Sequence, residues 1–341
     1  MSSRVGSTAV VLVFVLPWLA ITGFADYMVG SSVGRQVQSA SWPTAQGTIT
    51  SSEVETARGN KSITYGLKVA YTYSVDGQQR EGHKYRITTS RSGDIEEAQA
   101  LVDRYPVGAR VTVYHSPGPP SEAILQPGLG GGELVVLLML LPFNLVALYL
   151  VRMVVQSFKP KPPLLSPFTR EDGSECVAPD APDTGTWVGL VMGPASLACV
   201  VLTSSLAGVY PPVLAGVAAW AVVIASGLFV GRYIHTRKKA GHYEVRLHRR
   251  ERRLSLPPIQ GRKARLEVRW RDVLSLRVEP QVPAKKDTHY RATLEIATAD
   301  GTTRQEAVCE FTREEQAAAL AQWLRQDLRV GEVSPEALRS A

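Results

Sequence analysis

The sequence contains few cysteines, and their positions exclude a disulfide framework. Only three occur in 341 residues, Cys176, Cys199 and Cys309, and their spacing shows no pattern. None of them lies between residues 31 and 130. A domain formed by that segment is therefore expected to fold without disulfides, even in an oxidising compartment.

The sequence also lacks the sets of residues that carry enzyme chemistry. It has no phosphate-binding loop ending in Lys-Ser/Thr and no His-Glu-x-x-His, and we predict no nucleophile elbow. The glycine-rich residues 128–132 connect a predicted strand to a predicted helix and are interpreted as a juxtamembrane linker. We expect no catalytic residues, no cofactor and no enzymatic activity.

Histidine is scarce, and its placement argues against a metal site. Of six histidines, His235, His242 and His248 are unevenly spaced among arginines, and no cysteine or carboxylate cluster accompanies them. Positive charges repel a metal ion, so we interpret these residues as solvated and predict no metal site. His83 and His115 fall on predicted strands, where surface positions are again the preferred interpretation over a functional pair.

Long apolar runs are what the sequence does contain. About 20 apolar residues form a helix that crosses the ~30 Å hydrocarbon core. Because the apolar core of the first run ends at Asp26, we expect no ionisable residue at depth. Asn144 is interpreted as an interhelical hydrogen-bonding residue rather than a substrate contact. The predicted spans cover residues 7–30, 134–156, 185–207 and 212–233.

The first span has two interpretations. A cleaved signal peptide would use Arg4 as its basic start and the small residues at positions 23–25 as its cleavage site. A retained helix is favoured, because its apolar core of 17 residues (9–25) exceeds the usual ~7–15 residues of a signal peptide.

The positive charges predict the topology. The net charge is +7, and basic residues are concentrated between positions 232 and 271, directly after the last apolar run. Lys/Arg clusters mark cytoplasmic ends, and Arg152, Lys159 and Lys161 after the second span agree with this. We therefore predict a multi-pass protein of the inner or plasma membrane, with both termini (residues 1–6 and 331–341 included) cytoplasmic and residues 31–132 extracytoplasmic.

Residues 41–128 are predicted to form a β-rich α+β domain. Apolar residues alternate along residues 63–75, Asp76-Gly77 predicts a hairpin turn, and residues 79–88 are the predicted return strand. An amphipathic helix follows at residues 94–105. The tyrosines of this domain are interpreted as core residues in preference to a platform for a ligand. The tyrosines concerned are Tyr71, Tyr73, Tyr85 and Tyr114.

This segment resembles a known family through an ordered series of short motifs. They are Trp42-Pro43, Gly47-x-Ile49, Tyr71-x-Tyr73-x-Val75-x-Gly77, Tyr105-Pro106-x-Gly108, Val111-x-Val113-Tyr114-x-x-Pro117 and Ala123-x-Leu125-x-Pro127-Gly128. Together they resemble domain-of-unknown-function family 3592, which is found in membrane proteins, mostly bacterial. His115-Ser116 stands where the family often has Asp before the proline. The resemblance implies a membrane-anchored architecture and no particular reaction.

The C-terminal half is predicted to hold a second, cytoplasmic domain. Residues 157–184 are polar, proline-rich and without periodicity, so we interpret them as a linker. Residues 242–330 contain a run of predicted strands and then one amphipathic helix, and residues 331–341 form a tail. This order of elements resembles the bacterial pleckstrin-homology-like (PH-like) fold, as a fold-level analogy.

These features predict a polytopic α-helical membrane protein with four transmembrane helices, an extracytoplasmic β-rich domain and a cytoplasmic PH-like domain. We expect an interaction or sensing role in the envelope, the alternative being an accessory subunit of a transporter or envelope enzyme. The lipid bilayer is the expected partner, with a homo-oligomer or a membrane complex as further expectations and no nucleic acid. Predicted contacts to anionic headgroups are Arg237, Lys238, Lys239, Arg246, Arg249, Arg250, Arg252 and Arg253. Predicted helix-packing positions are Gly185, Gly189, Gly193, Gly227 and Gly231.

Overall fold

The chain divides into two compact units, which are described separately below. Unit 1 comprises Met1–Phe158 and Val188–Phe229, and unit 2 comprises Lys159–Trp187 and Val230–Ala341. The predicted tail at residues 331–341 lies outside the described residues. The computed structural model describes residues 2–59, 63–88, 91–118, 122–159, 163–179, 181–208, 211–259, 262–281, 289–298, 301–311 and 313–328.

Four helices are long and apolar enough to cross a membrane, which confirms the predicted number of spans. They are α1 (Ser2–Gln38), α3 (Gly131–Phe158), α4 (Thr184–Ala207) and α5 (Val213–Lys239). With 37 residues, α1 extends about 55 Å and continues past the predicted span at residues 7–30.

Helices α3, α4 and α5 pack through a small apolar core in unit 1. Leu138 of α3 is buried with Ala219 and Val223 of α5, and Met192 of α4 packs against them. The indole Nε1 of Trp220 donates to the Leu134 carbonyl at 3.0 Å. In a bilayer, where lipid supplies no hydrophobic driving force between helices, such packing and interhelical hydrogen bonds would hold the helices together.

The β-rich domain of unit 1 is a five-stranded antiparallel sheet in the order β3-β2-β1-β4-β5. Asp76 (φ 54°) and Gly77 (φ 77°) join β2 to β3, so the predicted hairpin turn is confirmed. The helix α2 (Ile95–Arg104) begins after Asp94, whose carboxylate accepts from the Glu96 amide. The strands are β1 (Thr44–Arg58), β2 (Ile63–Val75), β3 (Gln78–Gly82), β4 (Arg110–His115) and β5 (Ala123–Ile124).

The predicted return strand at residues 79–88 is wrong in its second half, because β3 ends at Gly82. The Tyr71 ring lies directly against Gly82 and would collide with any added Cβ there. The Tyr71 hydroxyl then donates to the Lys84 carbonyl at 3.0 Å, and Lys84 bridges to Ile124 instead of continuing along β2. The residues after Gly82 are thereby led towards α1 and α3, where Ile87 contacts Gln36 and Arg86 contacts Glu133.

Unit 2 contains two antiparallel sheets and a final helix. The first sheet has the strand order β10-β9-β8-β7-β6 and the second the order β11-β12-β13. Apolar residues of α6 (Glu314–Leu328), including Leu320 and Leu324, pack in one core with residues of both sheets. The strands are β6 (Phe168–Thr169), β7 (Glu175–Val177), β8 (Val245–His248), β9 (Arg253–Leu256), β10 (Leu266–Arg269), β11 (Val273–Gln281), β12 (His289–Ala297) and β13 (Thr303–Phe311).

The interpretation of residues 157–184 as a linker without structure is wrong in part. Residues 168–177 form the hairpin of β6 and β7, and Val177 pairs with Val245 of β8. Cys176 and Val177 are almost fully buried in the unit 2 core region. Strands of two and three residues are too short to show periodicity, and their pairing partner lies about 70 residues later in the chain.

This arrangement predicts how soluble fragments of unit 2 behave. A fragment of residues 163–179 joined by a short Gly/Ser linker to residues 241–328 should be more stable than residues 241–328 alone. Burial of Val177 contributes about 2 kcal/mol of that difference. Urea unfolding followed by tryptophan fluorescence measures it, and the joined fragment carrying Val177→Ser is the matched control. Equal unfolding midpoints for the two fragments would contradict the five-stranded sheet.

Candidate functional site

One buried glutamine holds the β-rich domain against α1. The Gln36 side chain lies in the last turn of α1 and is fully buried. Its Nε2 donates to the carbonyls of Gln126 (3.2 Å) and Gly128 (2.8 Å), and its Oε1 accepts from the Ile87 amide (3.2 Å). A buried amide must find such partners or lose the free energy of its hydration.

Gly128 is the point at which these contacts converge. Its backbone φ is +76°, a conformation that glycine adopts without strain. Its amide lies 3.2 Å from both the Gln36 carbonyl and the Ser39 Oγ, and its carbonyl accepts from Gln36 and from Arg86 Nη2 (2.8 Å). The end of the β-rich domain is thus joined to α1 through both backbone polar groups of one residue.

A buried ion pair makes the corresponding connection to α3. Arg86 and Glu133 lie 3.2 Å apart, with side chains only 8% and 12% exposed. Glu133 is in the first turn of α3, where it also accepts from the Gly130 amide at 2.9 Å. A carboxylate at this position is favoured by the positive end of the helix dipole. We call Gln36, Ser39, Arg86, Gly128 and Glu133 the juxtamembrane network.

A cavity of about 620 Å³ lies beside the juxtamembrane network, and we call it the basal cavity. Its walls come from α2, from Tyr85, Arg86, Thr88 and Gln126 of the β-rich domain, and from the same end of all four long helices: the last part of α1, the start of α3, the end of α4 and the start of α5. The residues are Met28, Val29, Ser32, Val33, Tyr85, Arg86, Thr88, Glu97, Ala100, Leu101, Arg104, Gln126, Gly130, Gly131, Gly132, Glu133, Val136, Ala207, Pro211, Pro212 and Val213.

The lining of the basal cavity is apolar on one side and charged on the other. Arg86, Arg104, Glu97 and Glu133 supply two charges of each sign. Tyr85 donates from its hydroxyl to Gln126 Oε1, and burial raises its pKa. The Tyr85 phenol is therefore neutral at physiological pH. The arrangement can hold a ligand that carries both charge and an apolar part.

Two patterns that suggest catalysis or metal binding have no supporting geometry. Residues 30–34 read Gly-Ser-Ser-Val-Gly and fit Gly-x-Ser-x-Gly, but they lie inside α1 rather than at a strand-to-helix turn. The central Ser32 lies 2.7 Å from Thr88 Oγ1. Within the part of the chain that the structure describes, there is no group of three or more His, Cys, Asp or Glu that could hold a metal ion.

The expectation that no ionisable residue lies within the helices is wrong for α1. The helix continues through Asp26, and Asn144 Nδ2 donates to Asp26 Oδ1 at 2.9 Å. Asn144 is about 20 Å along α3 from its start, at 1.5 Å per residue. The interhelical hydrogen bond predicted for Asn144 therefore exists, and its acceptor is a carboxylate that the sequence pattern placed at the end of the span.

The eight predicted lipid-contact residues fall into different environments in unit 2. Arg246 is largely internal, with its side chain 18% exposed and its Nε 3.1 Å from Glu244. Arg249 is exposed but lies within 3 Å of both Glu175 and Asp327. Arg237 stacks over the Tyr233 ring, and Lys238 reaches Thr184. The exposed remainder is Lys239, Arg250, Arg252 and Arg253.

An ion cluster that the sequence did not suggest occupies the end of α5. Arg170 binds Glu244 at 2.6 Å and donates to the Lys239 carbonyl at 3.0 Å, where α5 ends. Despite burial of Glu244, its hydrogen bonds from Arg170 and the neighbouring Arg246 hold the pKa of its carboxyl below the usual value. A cation at the last carbonyls also complements the helix dipole. Arg170 thus caps α5 from the preceding hairpin.

The predicted packing glycines differ in how closely a neighbouring helix approaches them. A Cβ on Gly227 would lie 2.5 Å from the Met192 sulfur, and one on Gly193 would lie 3.8 Å from Pro142. Gly189 has no atom within 4 Å of such a Cβ. Gly185 is exposed and Gly231 is half-buried. Gly216, which the pattern missed, allows the closest approach of α5 to Leu134.

The tyrosines of the β-rich domain mostly form its core. Tyr71, Tyr73 and Tyr85 are almost completely buried, whereas Tyr114 is half-buried. Burial raises the pKa of Tyr105 to about 12, and its ring meets Tyr85 edge-on at 5.5 Å. This packing places Tyr85 between the core and the basal cavity.

Comparison with known proteins identifies the β-rich domain alone. Residues 45–130 match the family model described as Domain of unknown function (DUF3592). This confirms the predicted resemblance and covers β1 through the end of the connection to α3. No curated protein and no solved structure matches the chain.

Proposed function

We propose that this chain is a multi-pass membrane protein that displays its DUF3592-like domain outside the cytoplasm for interaction or sensing. The observation that carries the proposal is the juxtamembrane network, which fixes that domain to two spanning helices beside an open cavity. A domain held in this way can pass a change at its base to α1 and α3. The proposed role involves no catalytic step.

Helix contacts support a retained first helix. Trp18 stacks on Phe143 with ring centroids 6.1 Å apart, and Asp26 pairs with Asn144. The first of these contacts lies before the alternative cleavage site at residues 23–25 and would be lost with a signal peptide. We therefore keep α1 as an anchor of the mature protein.

The orientation follows from the positive-inside rule applied to the helix ends. The ends that carry basic residues are the C-terminal ends of α3, with Arg152 and Lys159, and of α5, with Arg237, Lys238 and Lys239. The opposite ends of both helices line the basal cavity. We infer that residues 31–132 are extracytoplasmic and that both termini are cytoplasmic, in the inner or plasma membrane.

Cysteine labelling tests this topology. Gly59→Cys should react with a membrane-impermeant maleimide in spheroplasts, whereas Arg271→Cys, at a position with a 73% exposed side chain, should react only after lysis. Cys176 and Cys309 are buried and Cys199 lies in α4, so the unaltered chain is a low-background control. Labelling of both variants from the same side would contradict the proposed topology.

The cytoplasmic unit is proposed to bind anionic lipid headgroups through its exposed basic residues. Strands followed by a closing helix also support the PH-like analogy for this unit. Arg250 and Arg253 belong to the exposed β8–β9 turn region, and each contributes roughly 1 kcal/mol near an anionic surface. Arg246 and Arg249 are assigned instead to ion pairs with carboxylates of unit 2, although Arg249 is itself exposed.

Flotation of the joined unit 2 fragment (residues 163–179 and 241–328) with lipid vesicles tests the proposed binding of anionic headgroups. Replacing Arg250 and Arg253 together by Gln should weaken binding to anionic vesicles by about 30-fold, since two lost contacts of ~1 kcal/mol add. The control replaces Arg304 and Arg313 by Gln. Both residues are exposed, and their replacement removes the same amount of charge. Binding that is insensitive to salt and to anionic lipid would reject the proposal.

An accessory subunit of a transporter or envelope enzyme is the second candidate. It is favoured by the open space at Gly189 on α4, where an added Cβ would meet no atom outside its own stretch of helix within 4 Å. A stoichiometric larger partner after purification in mild detergent supports this candidate, and a stable homo-oligomer argues against it.

A further inference from the structure

We propose that the basal cavity binds the headgroup of a zwitterionic phospholipid, with the acyl chains running down the helices. The proposal requires only that the four long helices span a bilayer, and it holds whichever side the β-rich domain occupies. It concerns unit 1 alone and is separate from the basic residues of unit 2.

The position of the cavity favours a membrane lipid over a soluble metabolite. Its walls join one soluble element, α2, to the ends of the four apolar helices. Met28, Val136 and Val213 line it and are each more than 40% exposed, so the apolar side continues onto the outer faces of the helices. A lipid can enter from the bilayer without passing through water.

The charges in the lining select the headgroup. Arg86 and Glu133 already form an ion pair, so a zwitterionic headgroup would lie across that pair, with its phosphate towards Arg86 and Arg104 and its ammonium group towards Glu133 and Glu97. The four charges sum to zero, so a purely anionic headgroup would leave the two carboxylates near a like charge. A headgroup with one charge of each sign matches the lining.

The N-terminus of α5 adds to the phosphate end. The helix α5, from Val213, begins at the cavity wall, and its aligned peptide dipoles contribute roughly half a positive charge there. The N-terminus of α3 is already matched by the Glu133 carboxylate, so the guanidinium groups remain the main contacts for a phosphate.

The volume determines how much of the lipid is enclosed. About 620 Å³ lies in the range of pockets that enclose a small molecule. It accommodates a headgroup with its glycerol, and the acyl chains must then extend along α1, α3 and α5. The water-soluble headgroup alone is expected to bind far more weakly, because it loses the apolar contacts.

Photo-crosslinking of the full chain in nanodiscs tests the site. The probe is a phosphatidylethanolamine with a diazirine near the top of one acyl chain, in a phosphatidylcholine background. We expect labelled peptides from α2 as well as from α3. Label on α2 reports a lipid in the basal cavity, since annular lipid reaches the spanning helices but not a helix of the β-rich domain.

Variants of α2 provide the matched comparison. Ala100→Trp fills the cavity and should reduce α2 labelling several-fold, whereas Gln99→Trp, at the adjacent exposed position outside the lining, should not. Arg104→Gln should weaken competition by unlabelled phosphatidylethanolamine about tenfold, through loss of a charge-assisted hydrogen bond. Competition by glycerophosphoethanolamine should be much weaker than competition by the intact lipid.

Three results would overturn the proposal. The first is absence of α2 labelling while α3 is labelled, which rejects the site and leaves the membrane assignment intact. The second is equal labelling in Ala100→Trp and Gln99→Trp. The third is stronger competition by phosphatidylglycerol than by phosphatidylethanolamine, which rejects the zwitterionic headgroup.

Discussion

The structure depends on how polar groups are satisfied where the chain leaves its apolar helices. At that level backbone and side-chain groups lose water, and each unpaired one costs about 1–3 kcal/mol. Gln36 satisfies two carbonyls and one amide, and the Arg86–Glu133 pair joins the same Gly128 peptide to α3. These few groups determine the position of the whole β-rich domain on α1 and α3, and they form one wall of the basal cavity.

A second polar cluster, in unit 2, satisfies the polar groups at the end of α5. Arg170, in the turn after β6, binds Glu244 and the last carbonyls of α5. The hairpin before α4 is thereby built into the sheet that follows α5. In both units an arginine–glutamate pair stabilises the exit from an apolar helix, because a charge buried at such a boundary costs free energy unless it is paired.

The large periodic features of this protein could be predicted from sequence, and its polar boundaries could not. Four spans and the Asp76-Gly77 hairpin follow from long apolar runs and turn chemistry that act locally, and the DUF3592 resemblance follows from an ordered series of short motifs. The β6–β7 hairpin depends on pairing with a distant strand, and the Asp26–Asn144 contact depends on helix register. Gln36 and Glu133 flank predicted spans and Arg86 lies in the predicted return strand, so each gave only a weak signal. Their convergence arises from tertiary structure.

Hydrogen–deuterium exchange in lipid nanodiscs tests the central claim most directly. Peptides containing Ile87 and Gly128 should be strongly protected in the native chain. Gln36→Leu should remove the protection at Ile87, because that amide loses its side-chain acceptor. The Gly128 amide keeps the Gln36 carbonyl and the Ser39 Oγ as partners, so it and the β1–β2 amides should remain protected. Gln38→Leu, at an exposed position two residues later, is the control and should change nothing. Rapid exchange at Ile87 and Gly128 in the native chain, or equal effects of the two substitutions, would contradict the account.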